Sequence, residues 1–382
     1  MRIYLVGGAV RDRLLGLPVR DRDWVVVGGK ESEMLERGYR RADSDFPVFL
    51  HPQTGEEYAL ARRETKTGPG YKGFSIDAGP DVTLEQDLIR RDLTINAIAE
   101  DEAGKLIDPF DGHGDLNAGV LRHISPAFIE DPVRLLRVAR FAARLGRWGF
   151  RISHGTHKLM QRMAASTELE TLSAERVWLE MRQALAEDQP WRFFQVLQRC
   201  GALAKLIPAL EGEMLQQSAH AHDAASPMVV ALQRAVRLDA GIRVRFAVTF
   251  HDAAVTAGGA KKATAELRVE REYLELLKLI VRLAPVYSKA AAGDPHALLD
   301  LIESTRALHD VSRLKEFLTA ADALWPELSG TRGKVMQALD RVAAITPGLL
   351  QSEGVMGAEL GRALRLERLN AVRALLDQSG AG

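Results

Sequence analysis

The spacing of apolar residues changes near residue 131, and this change constrains the fold more than any other feature of the sequence. Over residues 1–110, short apolar runs alternate with brief helical patterns and turn residues, which indicates a small sheet with a few helices. From Asp131 onward, apolar residues recur at three- and four-residue spacing, as in helices that pack on one another. We therefore predict an α+β N-terminal head, built on a small mixed sheet with helices, followed by an all-α neck, body and tail. The clearest helical segments are 131–147, 172–186, 190–200 and 228–238.

Turn residues separate the predicted elements within the head. The sequence predicts strands at 3–6 and 24–27, a helix at 9–15, a hairpin of 47–51 with 58–62, and a helix over 84–99. Residues 66–81 are rich in glycine and lysine and show little apolar periodicity, so they are predicted to form a mobile loop. In the helical part, linkers are predicted at 211–227, 254–264 and 288–296.

The bulk composition limits the function classes that are open to this chain. A chain of 382 residues is too long for one ordinary hydrophobic core, so two or three domains are expected. Its 51 basic and 51 acidic residues cancel, so any surface for nucleic acid would have to be local. The single cysteine, Cys200, excludes an intrachain disulfide, and a packing role is expected for it. No apolar run approaches the roughly 18 residues that span a membrane, and the N-terminal run is too short for a signal peptide, so a soluble cytoplasmic protein is predicted.

Two acidic residues directly before a buried strand are the first sign of chemistry. Asp21 and Asp23 are two residues apart, and on an extended strand such residues point to the same face. Two adjacent carboxylates repel each other, and at the end of a buried strand they are also costly to desolvate. A divalent cation between them would remove both penalties. Oxygen ligands favour Mg²⁺, whereas histidine and cysteine would favour zinc.

A pair of glycines lies between the first strand and the first helix. Gly7 and Gly8 would let the backbone approach a phosphate closely, and Arg11 could add a positive charge one turn later. Taken alone, this pattern is equally typical of a plain tight turn.

Arginines recur on one face of the helix predicted over 131–147. They stand at steps of three, three and four residues, at Arg134, Arg137, Arg140 and Arg144. A solvated basic face is the simpler interpretation, but the helix offers no acidic partners after Asp131, so anionic or hydrogen-bonding groups are expected opposite. The cluster Arg90-Arg91-Asp92 is either a surface turn or a contact for the sugar and phosphates of a nucleotide.

Six motifs occur together and in order: GGAVRD at 7–12, DRD at 21–23, RRD at 90–92, DPFDGHGDL at 108–116, EDPVRLLR at 130–137 and LSAERV at 172–177. With them, the chain resembles the bacterial class II tRNA nucleotidyltransferases, the CCA-adding enzymes, which lie in the polymerase-β-like nucleotidyltransferase superfamily. The resemblance covers residues 1–205 and implies a catalytic head at 1–120 and a neck at 121–205 that recognises nucleotide bases and tRNA. Residues 206–382 resemble a degenerate HD phosphohydrolase domain.

The resemblance implies a role for individual residues. Asp21 and Asp23 would hold Mg²⁺, with a third carboxylate from a neighbouring strand, for which Glu57 is the candidate and Glu56 the competitor. Asp131 and Arg134 would offer a Watson–Crick-like edge to the base, so that the protein itself acts as the template. The remaining contacts to the incoming nucleotide would come from Gly8, Arg11, Arg91, Asp92 (near the ribose), Arg137 and Arg140. Basic residues of the neck and body, among them Lys158, Arg162, Arg176 and Arg192, could face tRNA, although each is also typical of a routine surface charge.

The implied reaction adds C, C and A to the 3′ end of tRNA from CTP and ATP, with release of pyrophosphate and two metal ions. The glycine-rich segment 66–81 favours full CCA addition over a CC-adding relative, because such relatives lack an intact loop there. A poly(A) polymerase and a non-catalytic RNA-binding protein are the alternatives. A metal-dependent phosphohydrolase activity would need His251 and Asp252, but the sequence after this pair departs from the HD pattern, and His220 and His222 are crowded in a predicted loop. The oligomeric state stays open.

Overall fold

The computed structural model describes residues 1–19, 21–42, 46–68, 73–215, 226–348 and 356–379. The chain divides into two compact units, Met1–Leu206 and Ile207–Gly382. Residues 69–72 of the predicted loop, together with His220 and His222, lie outside the described residues.

All described strands belong to the first unit. They are β1 (Arg2–Val6), β2 (Asp23–Val27), β3 (Arg40–Arg41), β4 (Val48–Leu50), β5 (Glu57–Leu60), β6 (Arg63–Lys66), β7 (Phe74–Asp77), β8 (Ala99–Glu100), β9 (Leu106–Ile107), β10 (Val120–Leu121) and β11 (Arg151–Ile152). Seven of them form one sheet in the order β3-β4-β5-β2-β1-β8-β9, and the pairs β6-β7 and β10-β11 form two small sheets. The main sheet is mixed, because β2 is antiparallel to β1 and parallel to β5.

The centre of the main sheet is buried on both faces. Val25 and Val27 pack with apolar residues on one face, whereas Val26 packs with Phe49 and Met34 on the other. Strand β2 is therefore continuously apolar rather than alternating, as a strand covered on both faces should be. Its register pairs Val6 of β1 with Asp23, so the glycine turn that follows β1 lies beside the first residue of β2.

Helices surround this sheet and make up the rest of the first unit. They are α1 (Gly8–Leu14), α2 (Glu31–Glu36), α3 (Leu84–Leu88), α4 (Gly112–Ala118), α5 (Val133–Leu145), α6 (His154–Ala165), α7 (Ala174–Ala186), α8 (Trp191–Cys200) and α9 (Leu203–Leu206). Short 3-10 helices occupy Thr94–Asn96, Pro126–Glu130, Gly146–Trp148 and Thr167–Thr171. Helix α5 is buried around most of its circumference and packs against α7 and α8.

The second unit is helical throughout its described residues. Its helices are α10 (Pro208–Leu215), α11 (Pro227–Arg237), α12 (Ile242–Thr256), α13 (Ala260–Ala263), α14 (Arg271–Ala291), α15 (Pro295–Ser304), α16 (Ser312–Leu324), α17 (Thr331–Ala343) and α18 (Gly357–Ser379), with a 3-10 helix at Pro326–Leu328. Within the described ranges of the chain, no helix is both long enough and apolar enough to cross a membrane. Cys200 is buried and unpaired, in agreement with a packing role.

The predicted fold class is confirmed, but several local predictions are wrong. The predicted linker 254–264 contains the end of α12 and all of α13, and the predicted linker 288–296 contains the end of α14 and the start of α15.

The predicted helix over 84–99 ends at Leu88; Leu93 is extended, with φ of −125° and ψ of 147°, and Thr94–Asn96 form a separate 3-10 helix. The predicted loop 66–81 contains β7, whose Phe74 pairs with Lys66 of β6. Two-residue strands such as β8 and β10 were not predicted, since they are too short to show a period.

The approach of α4 to the segment Thr94–Asn96 leaves no room for a side chain at Gly112. A Cβ there would overlap the Thr94 carbonyl oxygen and come within 2.8 Å of Ile98 Cγ1. We expect Gly112→Ala to lower the free energy of unfolding of the first unit by about 1–3 kcal/mol, the usual range for an overpacked position. Urea unfolding followed by circular dichroism measures this change.

Gly212→Ala is the matched control for that substitution. Gly212 lies within α10, and a Cβ there meets no atom within 4 Å. Because alanine favours a helix over glycine, this control should leave stability unchanged or raise it by up to about 1 kcal/mol. Equal loss in both variants would contradict the close packing at Gly112.

Candidate active site

A cavity of about 1170 Å³ lies within the first unit. Its walls come from the turn after β1, the start of β2, the segment between α3 and β8, and one face each of α5 and α7. Ten of the eleven predicted site residues line it: Gly8, Arg11, Asp21, Asp23, Arg91, Asp92, Asp131, Arg134, Arg137 and Arg140. Residues that are far apart in the chain, such as Arg11 and Asn96 at a separation of 85 positions, thus line the same cavity.

The two carboxylates of the DRD motif lie at one end of this cavity. Asp21 precedes β2 and Asp23 begins it, and both side chains are exposed to the cavity. Loss of solvent around the carboxyl raises the pKa of Asp23 above its ordinary value; Asp21 adds to the rise, while Arg91 and Arg137 oppose it. The pair is therefore crowded by like charge, which is the condition that a bound cation would relieve.

The two candidates for a third carboxylate lie on different faces of the sheet. Glu57 is the register partner of Asp23 in the parallel pair of β5 with β2, so both residues face the same side. Glu56 accepts a hydrogen bond from Trp24 Nε1 at 3.0 Å and lies 3.5 Å from Arg22, on the opposite side. Glu57 does not line the cavity, and the described residues contain no group of three acidic, histidine or cysteine side chains placed to hold a metal. Its role stays a prediction.

The glycine turn brings the backbone close to an arginine of the cavity. Gly7 has a φ of 70°, which favours glycine, and a Cβ there would stand 3.0 Å from Arg91 Nη1. Arg11, one turn later, is almost fully buried, and burial lowers its pKa. It donates from Nη1 to Asn96 Oδ1 at 2.6 Å and from Nε to Asp12 at 2.9 Å. Arg11 is therefore fixed in place before any ligand enters.

A fully buried aspartate orients the two arginines of the RRD motif. Asp87, at the end of α3, accepts from Arg90 at 2.7 Å and from Arg91 at 3.1 Å. Burial alone would raise the pKa of Asp87, but Arg91 and Arg90 hold it below the ordinary value. Arg91 faces the cavity, and its buried Nε has no hydrogen-bond partner among the described residues. Asp87 therefore holds the Arg91 guanidinium at the cavity wall.

Asp92 connects the RRD motif to α5. Its carboxylate accepts from Arg137 Nε at 2.7 Å, from Asn96 Nδ2 at 2.8 Å and from the backbone N–H of Leu93 at 2.8 Å. Burial would raise the pKa of this carboxyl, but Arg137 and these hydrogen bonds hold it far below its usual range. In turn, Asp92 raises the pKa of Arg137.

Each arginine of α5 has a partner within the first unit. Arg140 donates to Glu180 of α7 at 2.6 Å, and Arg144 donates to Asp12 at 2.7 Å. Arg134 donates to backbone carbonyl oxygens, at 2.7 Å to that of Arg90. These contacts agree with the expectation that anionic or hydrogen-bonding groups would lie opposite the arginines.

Asp131 precedes α5 and is held by two donors. Its Oδ1 accepts from the Val133 N–H at 3.2 Å and from Arg176 Nη2 of α7 at 3.2 Å. Arg176 was predicted as a surface residue that could face tRNA, but the structure places it on the cavity wall. The correction has a simple cause: Arg176 and Glu180 are four residues apart on α7, so one face of this helix holds both Asp131 and Arg140.

Several residues that shape the cavity were not predicted from the sequence. Asp12 ends the GGAVRD motif, and Asn96 follows the RRD motif by four residues. Their position close to these motifs could have indicated that they belong to the site. Glu180, which holds the lining residue Arg140, and Phe46, which lines the cavity itself, carry no local signal, because both are brought there only by tertiary packing. The Arg62 guanidinium lies 4.0 Å from the Phe46 ring centre.

The described lining of the cavity carries nine arginines and seven carboxylates. The surplus of two positive charges is local, since the whole chain has no net charge. A polar, positively charged cavity of this size suits a phosphate-bearing ligand such as a nucleoside triphosphate.

Comparison with known proteins places this architecture in a defined class. Residues 3–122 match the family model "Poly A polymerase head domain", and residues 149–214 match "Probable RNA and SrmB- binding site of polymerase A". The structure resembles that of the Thermotoga maritima CCA-adding enzyme complexed with tRNA, with a TM-score of 0.69, 20% identity and coverage of 100% of this chain and 91% of the other. The fold is thus that of the nucleotidyltransferases.

Two curated relatives narrow this class further. A protein named "Multifunctional CCA protein" from Thioalkalivibrio sulfidiphilus is 45% identical, and the alignment covers 100% of both chains. A protein of the same name from Pseudomonas aeruginosa is also 45% identical, again with full coverage of both. The chain therefore belongs to the family of the CCA-adding tRNA nucleotidyltransferases.

The buried Asp92 makes the stability of the first unit depend on pH. Its folded-state pKa lies below the value of about 3.9 in unfolded chains, so its contribution is present above that value and is lost as the pH falls. We expect Asp92→Asn to lower the free energy of unfolding at pH 7 by about 1–3 kcal/mol. The difference from wild type should shrink below about pH 4, as measured by urea unfolding at a series of pH values.

Asp188→Asn provides the control for this prediction. Asp188 pairs with Arg147 at 2.7 Å, but both side chains are about half exposed. An exposed pair contributes roughly 0–1 kcal/mol, so this variant should show little loss at any pH. If both variants behaved alike, the burial of Asp92 would not be the source of its effect.

Proposed function

We propose that this protein adds C, C and A in turn to the 3′ end of tRNA, using CTP and ATP and releasing pyrophosphate. The observation that carries the proposal is the single cavity that combines Asp21 and Asp23 with the arginines of α5 and the RRD motif. Full-length relatives named for CCA support the choice of product, and solved relatives have titles that record complexes with tRNA, CTP and ATP.

Nucleotidyltransferases of this family generally use divalent metal ions. We propose Mg²⁺ at Asp21 and Asp23, because Mg²⁺ in such enzymes is bound by one or two carboxylates together with substrate phosphates. When bound, two such ions would stabilise the attacking 3′-oxygen and the leaving pyrophosphate. Glu57 remains our candidate for a further carboxylate, since it faces the same side of the sheet as Asp23.

The triphosphate is proposed to lie between the glycine turn and the RRD motif. Gly8 leaves the backbone accessible, and the Arg91 guanidinium lines the cavity beside the turn. Arg137 is about a third exposed although it pairs with Asp92, so its remaining N–H groups can donate to phosphate or sugar oxygens. Arg11 and Arg140 are buried and act by placing positive charge beside the phosphates.

The base is proposed to be read by Asp131 and Arg134. An aspartate offers only acceptors and an arginine only donors, so the pair matches an amino group beside a ring nitrogen, as in cytosine and adenine. Guanine and uracil would leave one of these groups unpaired inside the cavity, at a cost of about 1–3 kcal/mol. Arg176 and the Arg90 carbonyl fix the two reading groups in position.

The segment after β6 supports full CCA addition. Lys66, at the base of the glycine-rich segment, donates to the Glu130 carbonyl oxygen at 2.8 Å and lies 3.1 Å from Glu168. It thereby joins this segment to the residue directly before Asp131. Residues 69–72, on which the comparison with CC-adding relatives also depends, lie outside the described part of the chain.

Poly(A) polymerase is the second candidate, because the matched head model carries that name. An added phosphohydrolase activity has weaker support: His251 and Asp252 are adjacent in the second unit, but no third metal-binding side chain joins them among the described residues.

The decisive experiment uses tRNA transcripts that end at the discriminator base, at C, or at CC. Each is incubated with Mg²⁺ and CTP, ATP or both, and products are resolved to the nucleotide. Addition of two C residues and one A, followed by a stop, is the expected result. A stop after CC would indicate a CC-adding enzyme, and long A tails would indicate a poly(A) polymerase.

Asp21→Ala should abolish nucleotide addition while leaving tRNA binding nearly intact, because it removes a proposed metal ligand and no RNA contact. The assay above measures addition, and filter binding measures tRNA affinity. Glu56→Gln is the control, since Glu56 faces Trp24 and Arg22 on the other side of the sheet. Addition that survives in Asp21→Ala would show that the metal assignment is wrong.

Asp131→Asn should relax the choice of base. The amide replaces one acceptor by a donor, so discrimination of CTP and ATP against UTP and GTP should fall about ten- to a hundredfold. The ratio of kcat/KM values for the four nucleotides measures this change. Glu170→Gln, an exposed position outside the cavity, should leave the ratio unchanged; an unchanged ratio in Asp131→Asn would refute the reading role.

A further inference from the structure

Arg144 is the one arginine of the α5 stripe to which the proposed reaction gives no role. It follows Arg134, Arg137 and Arg140 on the same helical face, four residues after the last of them, and it lines the same cavity. Its side chain is 24% exposed, whereas the neighbouring side chain of Arg11 is 4% exposed. This part of the cavity therefore holds one buried guanidinium and one accessible guanidinium.

The two guanidinium groups share the carboxylate of Asp12. Asp12 accepts from Arg11 Nε at 2.9 Å and from Arg144 Nη2 at 2.7 Å. Arg11 also donates from Nη1 to Asn96, and its Nη2 lies 2.8 Å from Asp12, so all three of its nitrogen atoms are engaged. Among the described residues, Asp12 is the only hydrogen-bond partner of Arg144. Arg144 Nε and Nη1 thus have no protein partner there, and neither atom is buried.

This three-residue group carries one uncompensated positive charge. The carboxylate of Asp12 can neutralise one of the two arginines, and the buried Arg11 already makes three contacts with Asp12 and Asn96. Burial lowers the pKa of Arg11, Asp12 opposes this effect, and the nearby charge of Arg144 lowers the pKa further. An anion beside Arg144 would relieve the repulsion between the two arginines. A second arginine is therefore not needed to satisfy Asp12, and it leaves charge for a ligand.

The position of Arg144 along α5 indicates which part of a nucleotide it could meet. Arg134 and Arg144 are separated by ten residues, a rise of about 15 Å along the helix. The base is proposed to lie beside Arg134, so Arg144 stands towards the other end of an extended nucleoside triphosphate. Contacts also lead from it back to the glycine turn: a Cβ at Gly8 would stand 3.5 Å from Arg11 Nη2, and Arg11 shares Asp12 with Arg144.

We propose that Arg144 binds the β- and γ-phosphates of the incoming nucleotide, the part that leaves as pyrophosphate. This assignment rests on the proposed function. A guanidinium with free N–H groups and a surplus charge matches phosphate oxygens, which only accept hydrogen bonds and carry negative charge. The base and the sugar would use the hydrogen bonds but would leave the charge uncompensated.

The test is isothermal titration calorimetry on the full-length protein, with Mg²⁺ and without tRNA. We expect Arg144→Gln to bind CTP about tenfold more weakly than wild type, as for the loss of a hydrogen bond to a charged group that is partly solvated. Inorganic pyrophosphate should lose affinity to a similar extent. CMP, titrated in competition with CTP, should bind as it does to wild type, because it lacks both phosphates. Arg144→Lys keeps the charge and should recover part of the affinity for CTP.

Unchanged affinity of Arg144→Gln for CTP would overturn this assignment alone, and so would an equal loss for CTP and CMP, which would indicate a structural effect. Wild-type protein that binds neither CTP nor ATP would overturn the proposed function together with it. Filter binding of tRNA gives a further test: a fall in tRNA affinity at unchanged CTP affinity would place Arg144 on the RNA and refute the phosphate contact.

Arg147→Gln is the matched control. Arg147 also pairs with an aspartate at 2.7 Å and lies three residues further along the chain, but it is outside the cavity. This variant should leave the affinities for CTP, pyrophosphate and CMP unchanged. An equal loss of CTP affinity in both variants would show that any nearby positive charge has the same effect, and the direct contact of Arg144 would be refuted.

Discussion

The ion pair between the partly exposed Arg137 and the buried Asp92 is the contact on which the candidate active site depends. It joins α5 to the segment that carries the RRD motif, and these two pieces of chain supply most of the positive charge in the cavity. Breaking the pair at Asp92 costs about 1–3 kcal/mol, because hydrogen bonds of a buried carboxylate are lost while Arg137 keeps partial contact with solvent. Asn96 and the Leu93 N–H take up the other lone pairs of Asp92. The carboxylate of Asp92 is therefore well satisfied, and the pair fixes α5 against the segment that carries the RRD motif.

This arrangement explains how so many arginines can face one space. Four arginines along one helix would repel each other if they were only solvated, but Asp92, Glu180, Asp12 and the Arg90 carbonyl accept from them one by one. Each acceptor takes up one or two of the five N–H donors of a guanidinium, and the other N–H groups stay available for further hydrogen bonds. The cavity thus keeps rigid donors and only a small positive surplus, so a nucleotide can be attracted without being trapped.

The sequence predicted those residues of the candidate site that belong to short, recognisable motifs. Asp21 and Asp23 stand two apart beside an apolar run, and the arginines of α5 follow the helical period, so both could be placed on an element from spacing alone. The partners could not, because Glu180 lies 40 residues from Arg140 and meets it only after α5 and α7 pack. Arg176 was misplaced for the same reason, since a single arginine on an amphipathic helix looks like any surface charge. The early end of α3 could not be predicted, because the two arginines that follow it are held by the buried Asp87, and nothing local in the sequence marks Asp87 as buried.

The two ends of the cavity are linked by charge. Asp23 lies near Arg91 and Arg137, whose charges lower its pKa against the effects of burial and of Asp21. A triphosphate that pairs with these two arginines would offset their positive charge. Their attraction for the Asp23 carboxylate would weaken, and the repulsion between Asp23 and Asp21 would have a larger effect. A divalent cation at the two carboxylates would offset that repulsion and at the same time neutralise the phosphates. On the proposed assignment, nucleotide and cation should therefore favour each other's binding, and the arginines proposed to contact the phosphates would also set how strongly the carboxylates need a cation.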